Sequence, residues 1–261
     1  MTDILANICE KKNEELKELK TRCSFSSLEK LLKHSKNRGF KDLLIKSHNK
    51  KKNNIIAEIK KSSPSAGEII SDYKPEVIAT DYEKGGVGAI SILTEKNFFN
   101  GNIDHLSIIN RNTKLPILRK DFIIDKYQIL ESKIYNADAI LLIVAILEDD
   151  EIKEFIKIAY EYGLDCLIEI HTQDELERAL KIGYPIIGIN NRNLKNLKVD
   201  INRTFEIIKN VPKEFTLIAE SGIKNREDIN KFNNYGIYNF LIGESILKSK
   251  DISQKINELI K

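Results

Sequence analysis

The chain has 261 residues, 41% of them hydrophobic and 31% charged, about the length of one α/β barrel and enough to bury a full core without dividing into domains. A net charge of +3 calls for no nucleic-acid partner, and the longest apolar run, Ala139 to Leu147, is far too short to cross a bilayer. Cys9, Cys23 and Cys166 are odd in number without C-x-x-C spacing, and His34, His48, His105 and His171 form no H-x3-5-H pair, so neither a structural disulfide nor a zinc site is expected.

The N-terminus enters a charged, helix-patterned stretch with no apolar core and no small-residue cleavage site. No secretory signal is expected, and the protein should stay cytoplasmic. Ile4–Lys20 and Ser27–His34 read as two helices within an extension over residues 1–48. Periodicity leaves open whether this extension caps the mouth of the following domain, residues 49–261, or plugs its bottom. Lys50–Lys52 reads as a solvated linker rather than a phosphate patch.

From residue 55 onward, short apolar runs rich in β-branched residues alternate with amphipathic stretches of helical period, the pattern of parallel βα units. The runs are Ile55–Lys60, Ala89–Leu93, Pro116–Lys120, Ala139–Val144, Cys166–Ile170, Ile186–Asn190, Thr216–Glu220 and Phe240–Ile242. Their near-continuous apolar character fits strands covered on both faces. Helices are expected over Glu76–Lys84, Lys126–Tyr135, Glu148–Tyr162, Gln173–Lys181, Arg226–Tyr235 and Ser253–Ile260, with Gly163 and Gly183 as C-terminal stops. A Gly-rich dinucleotide turn after the first run is absent, so the pattern predicts one closed (βα)8 TIM barrel with an N-terminal helical extension and not an open doubly wound sheet.

In such a barrel the active site lies at the C-terminal ends of the strands. There the runs end in polar residues that share a face with inward-pointing ones: Glu58 and Lys60, Lys120 in phase with Leu118, Glu169 with Leu167, Asn190 with Gly188, and Glu220 with Ile218. A rim ion-pair network explains any one of these. Several charges in a partly desolvated mouth cost several kcal/mol unless each is paired, so for five strands together function is the better reading. Two of the last loops, Glu220-Ser221-Gly222-Ile223 and Leu241-Ile242-Gly243-Glu244-Ser245, fall where barrels commonly bind a phosphate through backbone N–H groups. The turn Ser62-Ser63-Pro64-Ser65 offers hydroxyls that close over the same anion, or is only a turn.

The segments IIAEIKKSSPSAG (from Ile55), SILTEKNFFNG (from Ser91), PILRKDFIIDKYQI (from Pro116), DAILLIVAIL (from Asp138), LIEIHT (from Leu167), IGINNRNL (from Ile187), LIAESGI (from Leu217) and FLIGES (from Phe240) occur in this order. Over about Ile55 to Lys248 the sequence resembles the indole-3-glycerol-phosphate synthase family. The resemblance implies ring closure, decarboxylation and dehydration of 1-(o-carboxyphenylamino)-1-deoxyribulose 5-phosphate by general acid–base chemistry, a lyase step of tryptophan biosynthesis with no metal or organic cofactor. It implies Lys120 as the acid for ring closure and Glu169 as a general base. Lys60 and Glu58 form a second acid–base pair, unless Glu58 only holds Lys60, and Asn190 and Glu220 orient hydroxyls or lysines. Arg192 joins Lys60 and Lys120 in orienting the anionic groups, Phe99, Phe122, Leu141 and Ile143 wall the aromatic ring, and Ser63 and Ser221 touch substrate. Ser63, Gly222, Gly243 and Glu244 surround the phosphate.

Two positions depart from the family pattern: Ala66, where many relatives carry lysine, and Glu244, where some carry serine. Glu244 must offer its backbone N–H while its carboxylate turns away. The chain ends soon after the eighth unit, so no fused isomerase domain is expected. The partner is then a small phosphorylated molecule, with neither nucleic acid nor membrane, and the chain is a monomer or weak homo-oligomer. The runner-up within enzymes is another phosphate-binding barrel, a phosphoribosyl isomerase or an aldol-type enzyme, which needs fewer inward lysines. A non-catalytic RNA- or anion-binding module leaves the inward glutamates unexplained.

Overall fold

The computed structural model describes residues 4–32, 35–193 and 197–261. Among these, eight parallel strands close into a barrel: β1 (Asn54–Ile59), β2 (Ala89–Leu93), β3 (Ile117–Lys120), β4 (Ala139–Ile143), β5 (Asp165–Ile170), β6 (Ile186–Asn190), β7 (Thr216–Glu220) and β8 (Asn239–Ile242). Each strand pairs with its neighbour in sequence, and β1 closes the ring on β8 with Ala57 opposite Ile242. Every strand is buried, apart from half-buried residues at single ends such as Lys120 and Asp165. The eight apolar runs thus match the eight strands, with ends moved by a residue or so: Lys60 and Pro116 lie outside strands, and Val144 opens a 3-10 turn.

Strand parity separates two cores. Outward residues such as Ile55, Ile90, Ile140, Ile168 and Phe240 pack under the helices. Inward residues Ile56, Ala89, Leu118, Ala139, Leu167, Ile186, Ile218 and Leu241 fill the barrel interior, the layered packing that makes such a barrel solid and leaves only its upper end open.

The helices are α1 (Ile4–Arg22), α2 (Phe25–Glu29), α3 (Phe40–Asn49), α4 (Pro75–Gly85), α5 (Asp104–Asn110), α6 (Lys126–Ile134), α7 (Asp149–Glu161), α8 (Gln173–Ile182), α9 (Asn202–Ile207), α10 (Arg226–Asn233), α11 (Glu244–Leu247) and α12 (Ile252–Ile260). Side-chain caps start several of them. Asp125 with Gln128 forms a capping box on α6, and Thr172, Asn225 and Asp251 cap α8, α10 and α12. Gly183 ends α8 in the left-handed conformation, and Gly163 adopts it just after α7.

Two expectations need correction. The helix expected over Ser27–His34 is α2, which starts earlier and ends at Glu29, while residues 33–34 lie outside the described residues. A third helix, α3, was not expected. Its apolar face is little more than one turn, so local pattern is weak, and its stability comes from packing. Phe40 and Leu44, both fully buried, enter the floor of the barrel interior. The Asn239 side chain donates to the Leu44 carbonyl at 3.1 Å, and the Lys41 N–H donates to Asp165 at 3.0 Å. The extension therefore divides: α3 plugs the bottom, whereas α2 packs on α6, where Leu16 of α1 and Leu28 of α2 cluster with Tyr127 and Leu130. The short helices α5, α9 and α11 were also missed, being too brief for a helical period to register. Lys50, Lys51 and Lys52 are all exposed, as a linker would be. No helix among the described residues is long and apolar enough to cross a membrane.

Candidate active site

A cavity of about 1050 Å³ opens at the C-terminal ends of the strands. Parity brings Glu58, Lys60, Lys120, Glu169, Asn190 and Glu220 to it, together with Phe99, Phe122, Leu141, Ile143, Arg192, Ser221, Gly222, Gly243 and Glu244.

At its centre Lys120, from the end of β3, places Nζ 2.8 Å from Glu169 Oε2 on β5 and 3.5 Å from Glu220 Oε2 on β7. Burial opposes the ammonium charge, but Glu169, Glu220 and Glu58 outweigh it and hold the Lys120 pKa above the ordinary lysine value. Burial likewise favours a neutral Glu169, and Lys120 and His171 reverse this, keeping that carboxyl well below the usual carboxylate range. Glu220 goes the other way. Burial first, and then the neighbouring Glu169, raise its pKa well above the ordinary value against the pull of Lys120. Two carboxylates beside one ammonium share the charge unequally, with Glu169 biased toward its ionised form and Glu220 toward its neutral form.

Of the two lysines expected at the mouth, only Lys120 reaches Glu169. Lys60 instead hydrogen-bonds to Glu58 Oε1 on its own strand. The second cation at Glu169 is His171, whose Nε2 lies 3.3 Å from Glu169 Oε1. His171 was missed as a site residue, although it continues the inward parity of Leu167 and Glu169 one step past β5; that parity was the available signal.

Two glycines exist for the carboxylates. A Cβ on Gly188 would lie 2.1 Å from Glu220 Oε1, and one on Gly243 would lie 2.8 Å from Glu58 Oε1. A side chain at either position would displace the carboxylate beside it. Gly222 has φ +87° and sits against Val199 and Ile201, and Ser221 before it is also left-handed at φ 64°, so the turn after β7 holds two successive residues in a conformation that L side chains rarely adopt.

Polar side chains tie the rim loops together. Asn190 Oδ1 accepts the Arg192 N–H at 3.0 Å and the Ser221 hydroxyl at 2.9 Å, which leaves the Asn190 amide nitrogen available to a ligand. Arg192 Nη1 donates to Ser65 Oγ at 2.8 Å and to the Leu197 carbonyl at 3.1 Å, bridging the loops after β6 and β1. Phe99 and Phe122 face each other with ring centroids 6.3 Å apart and, with Leu141 and Ile143, make an apolar wall beside the charges. Glu244 is paired with Lys248 at 2.6 Å, and this bond lowers its pKa against the opposing effect of burial.

Ser63 is placed apart from the others. It is buried outside the cavity lining, where its hydroxyl accepts the Ala66 N–H at 3.2 Å. It shapes the turn whose Ser65 and Ala66 face the cavity. Behind Lys120, Arg119 reaches Asp121 at 3.0 Å and Glu131 at 2.9 Å, while Lys12 of α1 reaches Asp121 at 3.2 Å. No periodicity signals the contact of Lys12 with Asp121, which lie far apart in sequence. Among the described residues no group of His, Cys, Asp or Glu is arranged to hold a metal ion.

A proton-holding lysine, an ionised carboxylate, a second lysine–glutamate pair and an apolar wall on one cavity can protonate an oxygen and remove a proton from carbon on one bound aromatic molecule. Over residues 5–259 the chain matches the family model described as indole-3-glycerol phosphate synthase. It is 42% identical to the indole-3-glycerol phosphate synthase of Zymomonas mobilis subsp. pomaceae, over 100% of this chain and 99% of that one. It is 48% identical to that of Caldanaerobacter subterraneus, over 99% and 98%. Among solved structures it superposes with a TM-score of 0.59 on KGPDC from Streptococcus mutans, covering 79% of this chain and 95% of that one at 13% identity, a likeness of fold alone.

Proposed function

The chain belongs to the indole-3-glycerol phosphate synthase family, and from that premise we propose how its cavity divides the work of the reaction. The enzyme is a carboxy-lyase of tryptophan biosynthesis: 1-(o-carboxyphenylamino)-1-deoxyribulose 5-phosphate becomes indole-3-glycerol phosphate, carbon dioxide and water. The observation that carries the assignment is the Lys120–Glu169 pair at 2.8 Å, set beside the Lys60–Glu58 pair and the apolar wall.

The aryl ring packs against Phe99, Phe122, Leu141 and Ile143, which holds the ring carbon bearing the carboxylate within reach of the ketone. As the new carbon–carbon bond forms, Lys120 gives its proton to the ketone oxygen. An ammonium protonated throughout the neutral range is a competent donor here, because the developing alkoxide is more basic still. The carboxyl group then leaves as carbon dioxide, its bonding electrons restoring the aromatic ring. The remaining hydroxyl leaves as water with a proton from Lys60, which Glu58 holds in place. Glu169 takes the proton from the adjacent methylene carbon, completing the indole double bond.

Asn190 and Glu220 orient substrate hydroxyls and Lys120. The phosphate lies against the backbone of Gly222 and Gly243, with Ser221 and Arg192 alongside and the Glu244 carboxylate drawn aside by Lys248. Ser63 contributes through the shape of its turn. Acid, base and charge carry every step, so no cofactor enters. The catalytic unit is the barrel of residues 49–261, residues 1–48 are its extension, and the enzyme works on a small phosphorylated molecule in the cytoplasm as a monomer or weak homo-oligomer.

The test is indole fluorescence on that substrate, with a metal chelator present, for the wild type and Lys120→Met. Methionine keeps the volume and loses both proton and charge, so turnover is expected to fall by about 10²-fold or more with the fold intact. Near-native turnover in the variant would remove Lys120 from the chemistry.

A further inference from the structure

Behind Glu169 runs a chain of three side chains that the mechanism above does not use. Glu175, in the first turn of α8, accepts the backbone N–H of His171 at 2.7 Å and approaches its Nδ1 at 3.3 Å with the same oxygen. His171 Nε2 then faces Glu169 Oε1 at 3.3 Å. Nε2 is buried and makes no hydrogen bond, so this contact is a charge pair only when the ring is protonated. Arg203 of α9 fixes the His171 carbonyl at 2.8 Å, and Lys120 and Glu220 lie beyond Glu169. His171 is 4% exposed and lines no part of the cavity, so whatever it does to the reaction it does through Glu169.

We propose that His171, oriented by Glu175, is a positioning residue that fixes the direction and charge of Glu169; the proposal rests on the reading of Glu169 as the base. An imidazole between two carboxylates satisfies both only when each ring nitrogen carries a proton. Burial works against that charge, but Glu169 and Glu175 outweigh it and push the pKa up to about 9 from 6.5. In the neutral ring, Nδ1–H stays with Glu175 and Nε2 turns a lone pair toward Glu169. Repulsion at that distance rotates the carboxylate away from its working position and leaves it to Lys120 alone. Because the folded-state pKa is raised, this support is complete below about pH 6.5 and is lost as pH rises through about 9.

The experiment combines nuclear magnetic resonance of the histidine rings with the pH profile of kcat in the wild type, Glu175→Gln, His171→Gln and Glu169→Gln. The His171 resonance, assigned by its loss in His171→Gln, is expected to titrate near pH 9 in the wild type. In Glu175→Gln it should move down by about one pH unit or more. The alkaline fall of kcat should follow the same midpoint, shift with Glu175→Gln and disappear in His171→Gln. In His171→Gln kcat should be lower by roughly 10- to 100-fold, as a misplaced group gives, with KM within about two-fold. If His171→Gln fails to fold, the resonance is assigned by elimination in His34→Gln, His48→Gln and His105→Gln. A His171 resonance titrating near 6.5 in the wild type would overturn the proposal whatever turnover the variants retain. So would wild-type kcat and an unchanged alkaline limb in His171→Gln and Glu175→Gln while Glu169→Gln is impaired. Near-native turnover in Glu169→Gln would instead remove the reading on which the proposal rests.

Discussion

At the floor of the barrel Asp138 accepts the Ile117 N–H at 2.7 Å and the Arg38 N–H at 2.9 Å, and its carboxylate pairs with the Arg38 guanidinium at 2.6 Å. Asn54 and Asn239 close on each other at 3.0 Å under α3. At the mouth, buried groups are as polar but differently bound. Glu220 keeps one oxygen without a hydrogen-bond partner, Asn190 leaves its amide nitrogen to the cavity, and two carboxylates compete for one ammonium. Asp138, Asn54 and Asn239 at the floor hold backbone segments and strands together, whereas the charged groups at the mouth are held mainly by one another around the cavity. Polar pairing that ties segments together away from the cavity marks structure, and charges that converge on one cavity mark chemistry.

That contrast can be broken from either end. The largest effect is expected at the mouth: Glu169→Gln keeps shape and hydrogen-bonding reach and loses the base, so turnover should fall by roughly 10²- to 10⁴-fold while substrate binds within a few-fold. A variant with kcat intact and binding lost would make Glu169 a positioning group. The floor should answer oppositely. Asp138→Ala leaves the Ile117 N–H and the Arg38 guanidinium without their carboxylate, and denaturant unfolding should record a loss of about 3 kcal/mol. Turnover of the folded fraction should stay near native at low temperature; a large fall in kcat there would erase the distinction between the two ends.

An intermediate effect is expected at Gly243. The phosphate reading alone predicts that Gly243→Val raises KM and weakens inhibition by inorganic phosphate. The structure adds that the new side chain meets Glu58, so kcat should fall as well, by roughly 10-fold, as a displaced acid–base partner gives. A rise in KM with kcat unchanged would detach Glu58 from the chemistry. The smallest effect should be at Glu244, whose carboxylate Lys248 already holds. Glu244→Ser removes a negative charge near the phosphate and frees Lys248, so KM should drop by about two- to five-fold, the size of a partly screened surface charge. An unchanged KM would place the Glu244 carboxylate too far from the phosphate to matter.

How much of this was legible beforehand follows from the range of each interaction. The strands and the inward phase of Glu58, Lys120, Glu169, Asn190 and Glu220 follow from a two-residue period, a local property that survives in any sequence. Pairing of charges across strands is not local. The Lys60–Glu58 pair lies two residues apart on one strand face and was legible for that reason, whereas nothing in the spacing says that Lys120 reaches across the barrel to Glu169, because that depends on strand stagger. The helix α3 was hidden for the same reason, since its reason to exist is the open barrel floor beneath Phe40 and Leu44. Ser63 looked like a phosphate ligand by residue type, and only the fold reveals that it is buried outside the cavity lining, where its hydroxyl accepts the Ala66 N–H.

The assignment of the mouth charges to separate steps is tested most directly by timing two products in one turnover. In Glu169→Gln, carbon dioxide release should stay fast while indole fluorescence appears slowly, because the lost base acts after the ring has closed and the carboxyl group has left. Equal slowing of both signals would place Glu169 at or before decarboxylation and contradict the division of labour between Lys120 and Glu169.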